Sequence, residues 1–196
     1  MIPTFRWPLP GHTRISGRFN DPRSYGPHNA IDVPAPTHTR YYTLAPGRVL
    51  YAGPFGSCGL TVQVLHAYGW RSHVCHLHFL SVRTGQTVDS SKVLGLVGST
   101  GDSTGPHAHI NLFAPYSSRP SLGRFVPWVS AWAVDPLDYL PVPGQPRFYT
   151  VKPGDNASTI AATHHLSWAR FKALNPQGPR SGLWRLIYPG ERFRVG

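Results

Sequence analysis

A loop of small residues that runs into two alternating histidines constrains the fold of this chain more than any other feature. Residues 98–106 contain only Gly, Ser, Thr, Asp and Pro, a composition typical of tight turns. The chain then continues as His107-Ala108-His109-Ile110. Side chains at positions i and i+2 of a strand point to the same face, so both imidazoles would reach one point. Because neutral imidazole is a common ligand of transition metals, this stretch predicts a metal site on a β-strand.

The best partner for this histidine pair lies far upstream, in residues 26–34. His28 and Asp32 are four positions apart, which places both side chains on one face of either a helix or a strand. Prolines on both sides of the pair disfavour a helix, so we expect a short extended segment. His28, Asp32 and one of His107 or His109 would supply three ligands and leave one position open for water, which is the pattern of catalytic zinc sites.

A second histidine pair, His76-Leu77-His78, has the same spacing as the first and is a rival for the metal on spacing alone. His73 lies close to it in the chain. The other acidic residues of this region lie in turns or beside prolines, where capping is their ordinary role, so Asp32 is the expected carboxylate ligand. Five histidines have no partner at ligand spacing and are expected at the surface or in packing: His12, His38, His66, His164 and His165.

The composition favours a β-rich fold. Gly and Pro number 20 and 21 of the 196 residues, which indicates many turns, and no stretch approaches the 18 apolar residues of a membrane-spanning helix. Alternating apolar residues predict strands with tight turns between them, and hence a mostly antiparallel β domain. The Pro- and Trp-rich segment 114–140 is interpreted as a strap that closes over the sheet. The predicted strands are Gly47–Ala52, Leu60–His66, Trp70–Leu77, Val93–Val97 and His107–Phe113.

The two cysteines, Cys58 and Cys75, do not form a Cys-x-x-Cys motif, so a thiolate zinc site is not expected. A hairpin of the strands Leu60–His66 and Trp70–Leu77 would bring both cysteines to the same end. A disulfide requires Cα atoms within about 7 Å of each other. It would not form in a reducing cytoplasm, so the sequence leaves a disulfide and two packed thiols as alternatives.

A proline-rich stretch divides the chain. Residues 141–146 contain three prolines and a glycine, which is typical of a semi-rigid, extended linker. We therefore predict a first domain over residues 1–141, a linker over 142–147 and a second domain over 148–196. In the second domain a strand, helices over 158–165 and 167–174, and a closing turn and strand predict a small β-α-α-β module.

The ordered motifs of the first domain resemble the M23 zinc metallopeptidases of the lysostaphin and LytM type. The matching pieces are His28-x-x-x-Asp32, His76-Leu77 and the run from Ser99 to His109, and the resemblance covers about residues 7–113. It implies Zn²⁺ bound by His28, Asp32 and His109, with His76 and His107 beside the attacking water as catalytic residues. His78 is then ranked as a residue of the rim. The chain departs from the family at Ala30, where a glycine is common. Tyr25 is a candidate hydroxyl donor to the oxyanion.

The second domain resembles LysM domains, which bind glycans containing N-acetylglucosamine. The matching residues are Tyr149-Thr150-Val151, Gly154-Asp155, Leu174-Asn175-Pro176 and Pro189-Gly190. The chain departs from the family at Ala157-Ser158, where an apolar pair is usual, and in the length of residues 177–186. The glycan-binding residues that the resemblance implies are Asp155, Asn156, Ala157, Ser158, Asn175 and Ile187.

Together the two resemblances imply a peptidoglycan hydrolase, an endopeptidase that cuts cross-links or stem peptides of the bacterial cell wall while LysM anchors it to wall glycan. Two alternatives remain open: a non-catalytic wall-binding regulator of the same fold, and a zinc amidase or carboxypeptidase on the same polymer. A net charge of +11 suits an anionic wall. The arginines are scattered without a basic arm or helix, so nucleic acid is not the expected partner.

The N-terminal residues have no apolar core of a signal peptide. This absence predicts either that a signal has been removed or that the protein accumulates in the cytoplasm until release, as phage lysis enzymes do. We interpret the chain as an antibacterial, endolysin-like protein of the phage type. A monomer without membrane insertion is expected.

Overall fold

The polypeptide divides into two units, Met1–Pro143 and Gly144–Gly196. The structure is a computed structural model, and it describes residues 1–24, 26–118, 123–126, 130–146, 148–164 and 166–196. Leu140 and Val142 pack into the core of the first unit, so the chain leaves that unit two residues beyond the boundary predicted at residue 141. Within the described ranges, no helix has the length and apolar character needed to cross a membrane.

The first unit is built around an antiparallel β-sheet, as predicted. Its strands are β1 Ile31–Pro34, β2 Arg40–Tyr42, β3 Gly47–Pro54, β4 Leu60–His66, β5 Arg71–Leu80, β6 Thr87–Val88, β7 Val93–Val97, β8 His107–Pro115, β9 Arg124–Val126 and β10 Ala131–Val134. The central path of the sheet runs β6-β3-β4-β5-β8-β10-β9, with β1 added to β8, and with β7 pairing both β5 and β2. Every strand pair in the described part of this unit is antiparallel.

The predicted hairpin of β4 and β5 is present and carries a disulfide. A turn at Ala67–Gly69 joins the two strands. At the opposite end Cys58 is bonded to Cys75, and their Cα atoms are 4.8 Å apart. The turn Gly56–Cys58 is thereby tied to β5.

Within the described residues of the segment 114–140, the part with β9 and β10 does not form the predicted strap over the sheet, so the prediction is wrong for that part. Its strands β9 and β10 extend the sheet edge, because Ala131–Val134 pairs with the end of β8 and β9 pairs with β10. The side chains Phe113, Val126, Ala131 and Ala133 form a small apolar cluster there, and burial of these groups favours docking at the edge. Trp128 lies outside the described residues.

The second unit has the predicted β-α-α-β order. Its strands, β11 Phe148–Thr150 and β12 Arg192–Arg194, pair antiparallel, and its helices are α1 Ala157–Thr163 and α2 Trp168–Leu174. The Asn156 side chain accepts a hydrogen bond from Thr159 N at 2.8 Å, which caps α1. The predicted end of α1 at His165 lies outside the described residues. The core comprises Val151, Ala157, Ile160, Ala161, Phe171, Phe193 and Val195.

Candidate metal centre

The sheet topology brings distant parts of the sequence to one place. Asp32 of β1 is directly opposite His109 of β8, and on the other side of β8 His109 is opposite Cys75 of β5. His76 follows Cys75, and His107 precedes His109 by two positions on the same strand. The five side chains that converge here are called the His/Asp cluster: His28, Asp32, His76, His107 and His109.

Three members of the cluster form a compact donor set. Nε2 of His28 is 3.2 Å from Nδ1 of His109 and 3.4 Å from Oδ1 of Asp32. Nδ1 of His109 is 3.0 Å from the same carboxylate oxygen. These donor atoms lie within 4.8 Å of one another and could hold a metal ion. The residues that sequence reasoning assigned as ligands are therefore brought together.

The other two histidines lie beside this donor set. His76 and His107 have ring centroids 4.8 Å apart, and Nε2 of His107 is 3.6 Å from Oδ1 of Asp32. His76 also forms a second possible metal group with His107 and His109, so distances alone do not separate ligands from neighbours. The backbone of His76 has φ of +64°, a left-handed conformation uncommon for residues other than glycine.

Backbone carbonyls orient three of the four rings. Nδ1 of His28 donates to the carbonyl of Arg18 at 2.9 Å, Nδ1 of His76 donates to Thr100 at 2.8 Å, and Nδ1 of His107 donates to Gly105 at 2.8 Å. Because a carbonyl only accepts, each Nδ1 carries the proton. In the neutral form of each ring Nε2 is then unprotonated, as in a metal-ligating histidine whose other ring nitrogen donates to a carbonyl.

The cluster is held in the charge states that metal binding requires. Burial alone would raise the pKa of Asp32, but its interactions with His109 and His28 hold that pKa well below its usual range. Burial lowers the pKa of His109 and the pKa of His76. An ionised Asp32 carboxylate and neutral forms of His109 and His76 are thereby favoured, and these are the forms that bind zinc.

The rival histidines occupy other environments. His78 is exposed, and its ring packs against His38 with centroids 4.5 Å apart. His73 is buried, and its Nε2 is hydrogen-bonded to the Thr61 hydroxyl. Tyr25, the candidate oxyanion donor, lies outside the described residues.

Three residues around the cluster were not anticipated from the sequence. Nη2 of Arg23 is 3.0 Å from Oδ2 of Asp32. The Asn111 side chain donates to the backbone and side-chain oxygens of Asn29 at 3.0 and 2.9 Å, which fixes the residue after His28. Thr100 lies within the small-residue loop, and its carbonyl orients His76. The composition of this loop predicted a turn but did not predict that contact.

In the second unit, half of the predicted glycan-binding residues line a concave surface. Asn156, Ala157 and Ser158 surround it together with Trp168, Trp184 and Arg185, which the sequence did not single out. Ile187 is partly buried against the core of this unit.

Two other predicted glycan-binding residues are engaged in the fold of the second unit. The Asp155 carboxylate accepts from the Tyr149 hydroxyl and from Lys152 N at 2.8 Å each. Asn175 is buried and bonds to the backbone of Phe171 and Arg194. Their role as ligands to glycan stays a prediction.

An antiparallel sheet that presents two histidines and an aspartate around one point, with two more histidines beside them, defines a β domain with a candidate catalytic metal centre. The model of peptidase family M23 matches residues 26–119, and the model of the LysM domain matches residues 149–196. The chain therefore carries a domain of peptidase family M23 followed by a LysM domain.

Known proteins are similar to part of this chain. The peptidoglycan DD-endopeptidase ShyA of Vibrio cholerae is 33% identical over 113 residues, 55% of this chain and 26% of that protein. The DD-carboxypeptidase/endopeptidase Mpg of Neisseria meningitidis is 40% identical over 82 residues, 42% of this chain and 19% of that protein. The chain thus spans about a quarter or less of the length of these relatives. A zinc-containing peptidase from Vibrio cholerae matches with a TM-score of 0.53 and 26% identity, over 57% of this chain and 36% of that one.

Proposed function

We propose that this chain is a zinc-dependent peptidoglycan endopeptidase that cuts the cross-links or stem peptides of the bacterial cell wall. The observation that carries the proposal is the convergence of His28, Asp32 and His109 with His76 and His107 immediately beside them. The match to peptidase family M23 and the likeness to a peptidoglycan DD-endopeptidase support the reaction and the substrate class.

The donor set fits zinc. Two imidazoles and one carboxylate are the ligand types of catalytic zinc sites, which use three protein ligands and keep one position open. Zn²⁺, when bound by His28, Asp32 and His109, supplies Lewis acidity that polarises the scissile carbonyl and acidifies water. The cluster is electrostatically suited to a cation, because Asp32 is ionised and burial favours the neutral form of His109 by lowering its pKa.

His76 and His107 supply the proton transfers of amide hydrolysis. Each ring donates Nδ1–H to a backbone carbonyl, so each Nε2 has a free lone pair within the cluster. Burial keeps His76 neutral at pH 7 by lowering its pKa, which makes its Nε2 a competent base toward the attacking water. Either imidazolium can then return the proton to the leaving amide nitrogen.

The LysM domain holds the enzyme on its polymer by binding glycan that contains N-acetylglucosamine. The LysM family match supports this role. The surface lined by Asn156, Ser158, Trp168 and Trp184 is suited to a sugar, since it combines polar groups with aromatic rings. Binding to the glycan raises the local concentration of substrate at the catalytic unit.

The protein is proposed to act as a monomer at the bacterial cell wall, where a net charge of +11 favours an anionic surface. The disulfide between Cys58 and Cys75 supports action in an oxidising compartment. Cytoplasmic storage and a role in phage lysis remain predictions.

The test uses a defined cross-linked muropeptide dimer, the metal-stripped protein and added zinc, with products identified by mass spectrometry. The proposal predicts zinc-dependent hydrolysis of a peptide bond within the cross-link or stem, which is lost in His109→Ala and retained in His78→Ala, whose ring is exposed. Release of only a C-terminal residue would favour a carboxypeptidase, the first activity in the name of the Neisseria relative. Separation of stem peptide from sugar would identify an amidase, and binding without cleavage would favour the regulator.

A further inference from the structure

The Asp32 carboxylate has two different surroundings. Its Oδ1 faces the imidazoles, 3.0 Å from Nδ1 of His109 and 3.4 Å from Nε2 of His28. Its Oδ2 faces away from them and is 3.0 Å from Nη2 of Arg23. One oxygen is thus available to a cation in the cluster, and the other is engaged by a guanidinium.

A glycine makes room for this ion pair. A Cβ atom built on Gly17 would be 2.2 Å from Oδ2 of Asp32 and 2.5 Å from Nη2 of Arg23. Both distances are far below van der Waals contact, so the point where carboxylate and guanidinium meet is open only because residue 17 has no side chain. The backbone of Gly17 does not have the positive φ that would by itself require glycine.

Backbone hydrogen bonds tie the loop that carries Arg23 to β1. Ser16 N donates to Asp32 O at 2.9 Å, and Asp32 N donates to Gly17 O at 2.8 Å. Further along, Asn20 N donates to His28 O and His28 N donates to Asp21 O, both at 2.8 Å. The guanidinium of Arg23 therefore reaches Oδ2 from a loop whose residues 16, 17, 20 and 21 are hydrogen-bonded to Asp32 and His28. The exposed fraction of the side chain is 35% for Arg23 and 13% for Asp32.

This arrangement has a chemical consequence. A carboxylate can bind a metal through one oxygen or through both, and binding through both would occupy an additional coordination position. Catalytic zinc sites depend on an open position for water or substrate. A charge-assisted hydrogen bond to Oδ2 competes with the second metal–oxygen bond, so it favours attachment through Oδ1 alone.

We propose that Arg23 is a positioning residue that keeps Asp32 bound to the metal through Oδ1 only, and that Gly17 provides the space in which it does so. The inference rests on the metal site of the proposed function. Arg23 acts through Asp32 and is assigned no contact with the substrate.

The test replaces zinc by Co²⁺, whose visible absorption reports coordination number, because four-coordinate sites absorb more strongly than five-coordinate ones. In Arg23→Gln the guanidinium is removed, and in Gly17→Ala both charged groups remain but the new methyl group forces them apart. We expect weaker visible bands in both variants, and zinc affinity reduced about 10- to 100-fold, as for other residues that orient metal ligands. Chelator competition on the full chain measures the affinity.

Two controls define the outcome. Arg83→Gln removes the same charge from an exposed position and should leave both readings unchanged, whereas Arg23→Lys, which keeps a cationic donor, should restore part of the band intensity. Thermal unfolding of the metal-free proteins identifies any variant that has lost its fold. Spectra of Arg23→Gln and Gly17→Ala that superimpose on wild type would overturn the proposal, even if the affinity changed, because the effect would then be one of charge alone. A wild-type protein that bound no cobalt and no zinc would instead contradict the proposed function.

Discussion

The assignment of roles within the His/Asp cluster depends on single side chains. His76 holds a left-handed backbone conformation, which costs of the order of 1–3 kcal/mol and is typical of functional sites. A hydrogen bond from its Nδ1 to Thr100 O at 2.8 Å orients its ring. In our account His76 and His107 move protons, whereas His28, Asp32 and His109 hold the metal.

This division predicts different phenotypes for two kinds of variant. We expect His76→Ala and His107→Ala to lower kcat on a muropeptide dimer by about 10²- to 10⁴-fold, the usual contribution of acid–base catalysis, while the bound zinc stays at one equivalent. Metal analysis and steady-state kinetics on the same samples check this. Loss of zinc from the His76 variant would instead place His76 among the ligands, within the group that it forms with His107 and His109.

The buried ring of His73 makes the stability of the first unit depend on pH. Burial lowers the pKa of His73 to about 3, against about 6.5 in the unfolded chain. The unfolded state therefore binds more protons between these values, so stability is complete above pH 6.5 and declines as the pH falls toward 3. At pH 5 this one group should cost about 2 kcal/mol.

The variant His73→Gln tests that origin of the pH dependence. Its free energy of unfolding, measured by urea denaturation at several pH values, should fall less steeply between pH 7 and pH 5 than that of wild type. The difference between the two proteins cancels the titration of the metal ligands. Parallel pH profiles would show that His73 is not the group responsible.

At the scale of elements, the β4–β5 hairpin carries both His76 and the disulfide. Cys58 lies in the turn Gly56–Cys58, and Ser57 O of this turn accepts from Asp102 N at 2.8 Å. Leu60 N donates to the Thr100 hydroxyl at 2.9 Å. Hydrogen bonds thus connect the turn to the small-residue loop, whose Thr100 carbonyl orients His76. The disulfide ties the same turn to β5.

Removal of the disulfide should destabilise this hairpin. The two cysteines are 17 positions apart, and closing a loop of about that length stabilises a fold by roughly 3 kcal/mol. We expect Cys58→Ser/Cys75→Ser to lose about that amount in urea unfolding. Wild type measured with a dithiol reductant should match the double variant. A reductant that left the unfolding curve of wild type unchanged would show that the cysteines are not joined.

At the scale of the whole molecule, our proposal assigns catalysis and wall binding to separate units. Each has its own apolar core, and the chain passes from one to the other after Pro143. We therefore expect residues 1–143 to fold alone and to bind zinc. They should cleave a soluble muropeptide with unchanged kcat/KM but digest intact sacculi about 10-fold or more slowly, since anchoring is lost.

A matched variant of the full chain tests the same claim without truncation. Trp184→Ala removes an aromatic ring from the concave surface of the LysM domain. It should weaken pull-down by sacculi while leaving turnover of the soluble muropeptide unchanged. Equal digestion of sacculi by full chain, truncated protein and variant would mean that the LysM domain does not hold the enzyme on the wall.

The positions of metal-site residues could be predicted from the sequence where a regular spacing or flanking prolines fixed the local structure. His107 and His109 lie on one strand, and the extended segment predicted from the flanking prolines is present at Asp32 in β1, whereas His28 lies before that strand. The contact of Arg23 with Asp32 was not predictable, because it depends on a loop that backbone hydrogen bonds close onto β1. No local pattern encodes that closure.

The addition of β10 to the sheet edge could not be predicted from the sequence either. The Trp- and Pro-rich composition of residues 114–140 was interpreted as a strap over the sheet, yet Ala131–Val134 pairs with the edge of β8. Pairing of this kind depends on which strand edge is free, a property of the assembled sheet. Trp184 was missed for a related reason, since its ring reaches the concave surface only once the long loop 177–186 has folded against α2.

The most direct test of the central claim is the zinc-dependent release of muropeptides from purified sacculi. Metal-stripped wild type should release nothing, should recover activity with one equivalent of zinc, and should yield products with a newly cut peptide bond in mass spectrometry. His109→Ala should stay inactive with the same addition. Sacculi that are bound but never cut in the presence of zinc would contradict the proposed enzymatic activity. Cleavage that persists in both metal-stripped wild type and His109→Ala would contradict the assignment of the active site to the His/Asp cluster.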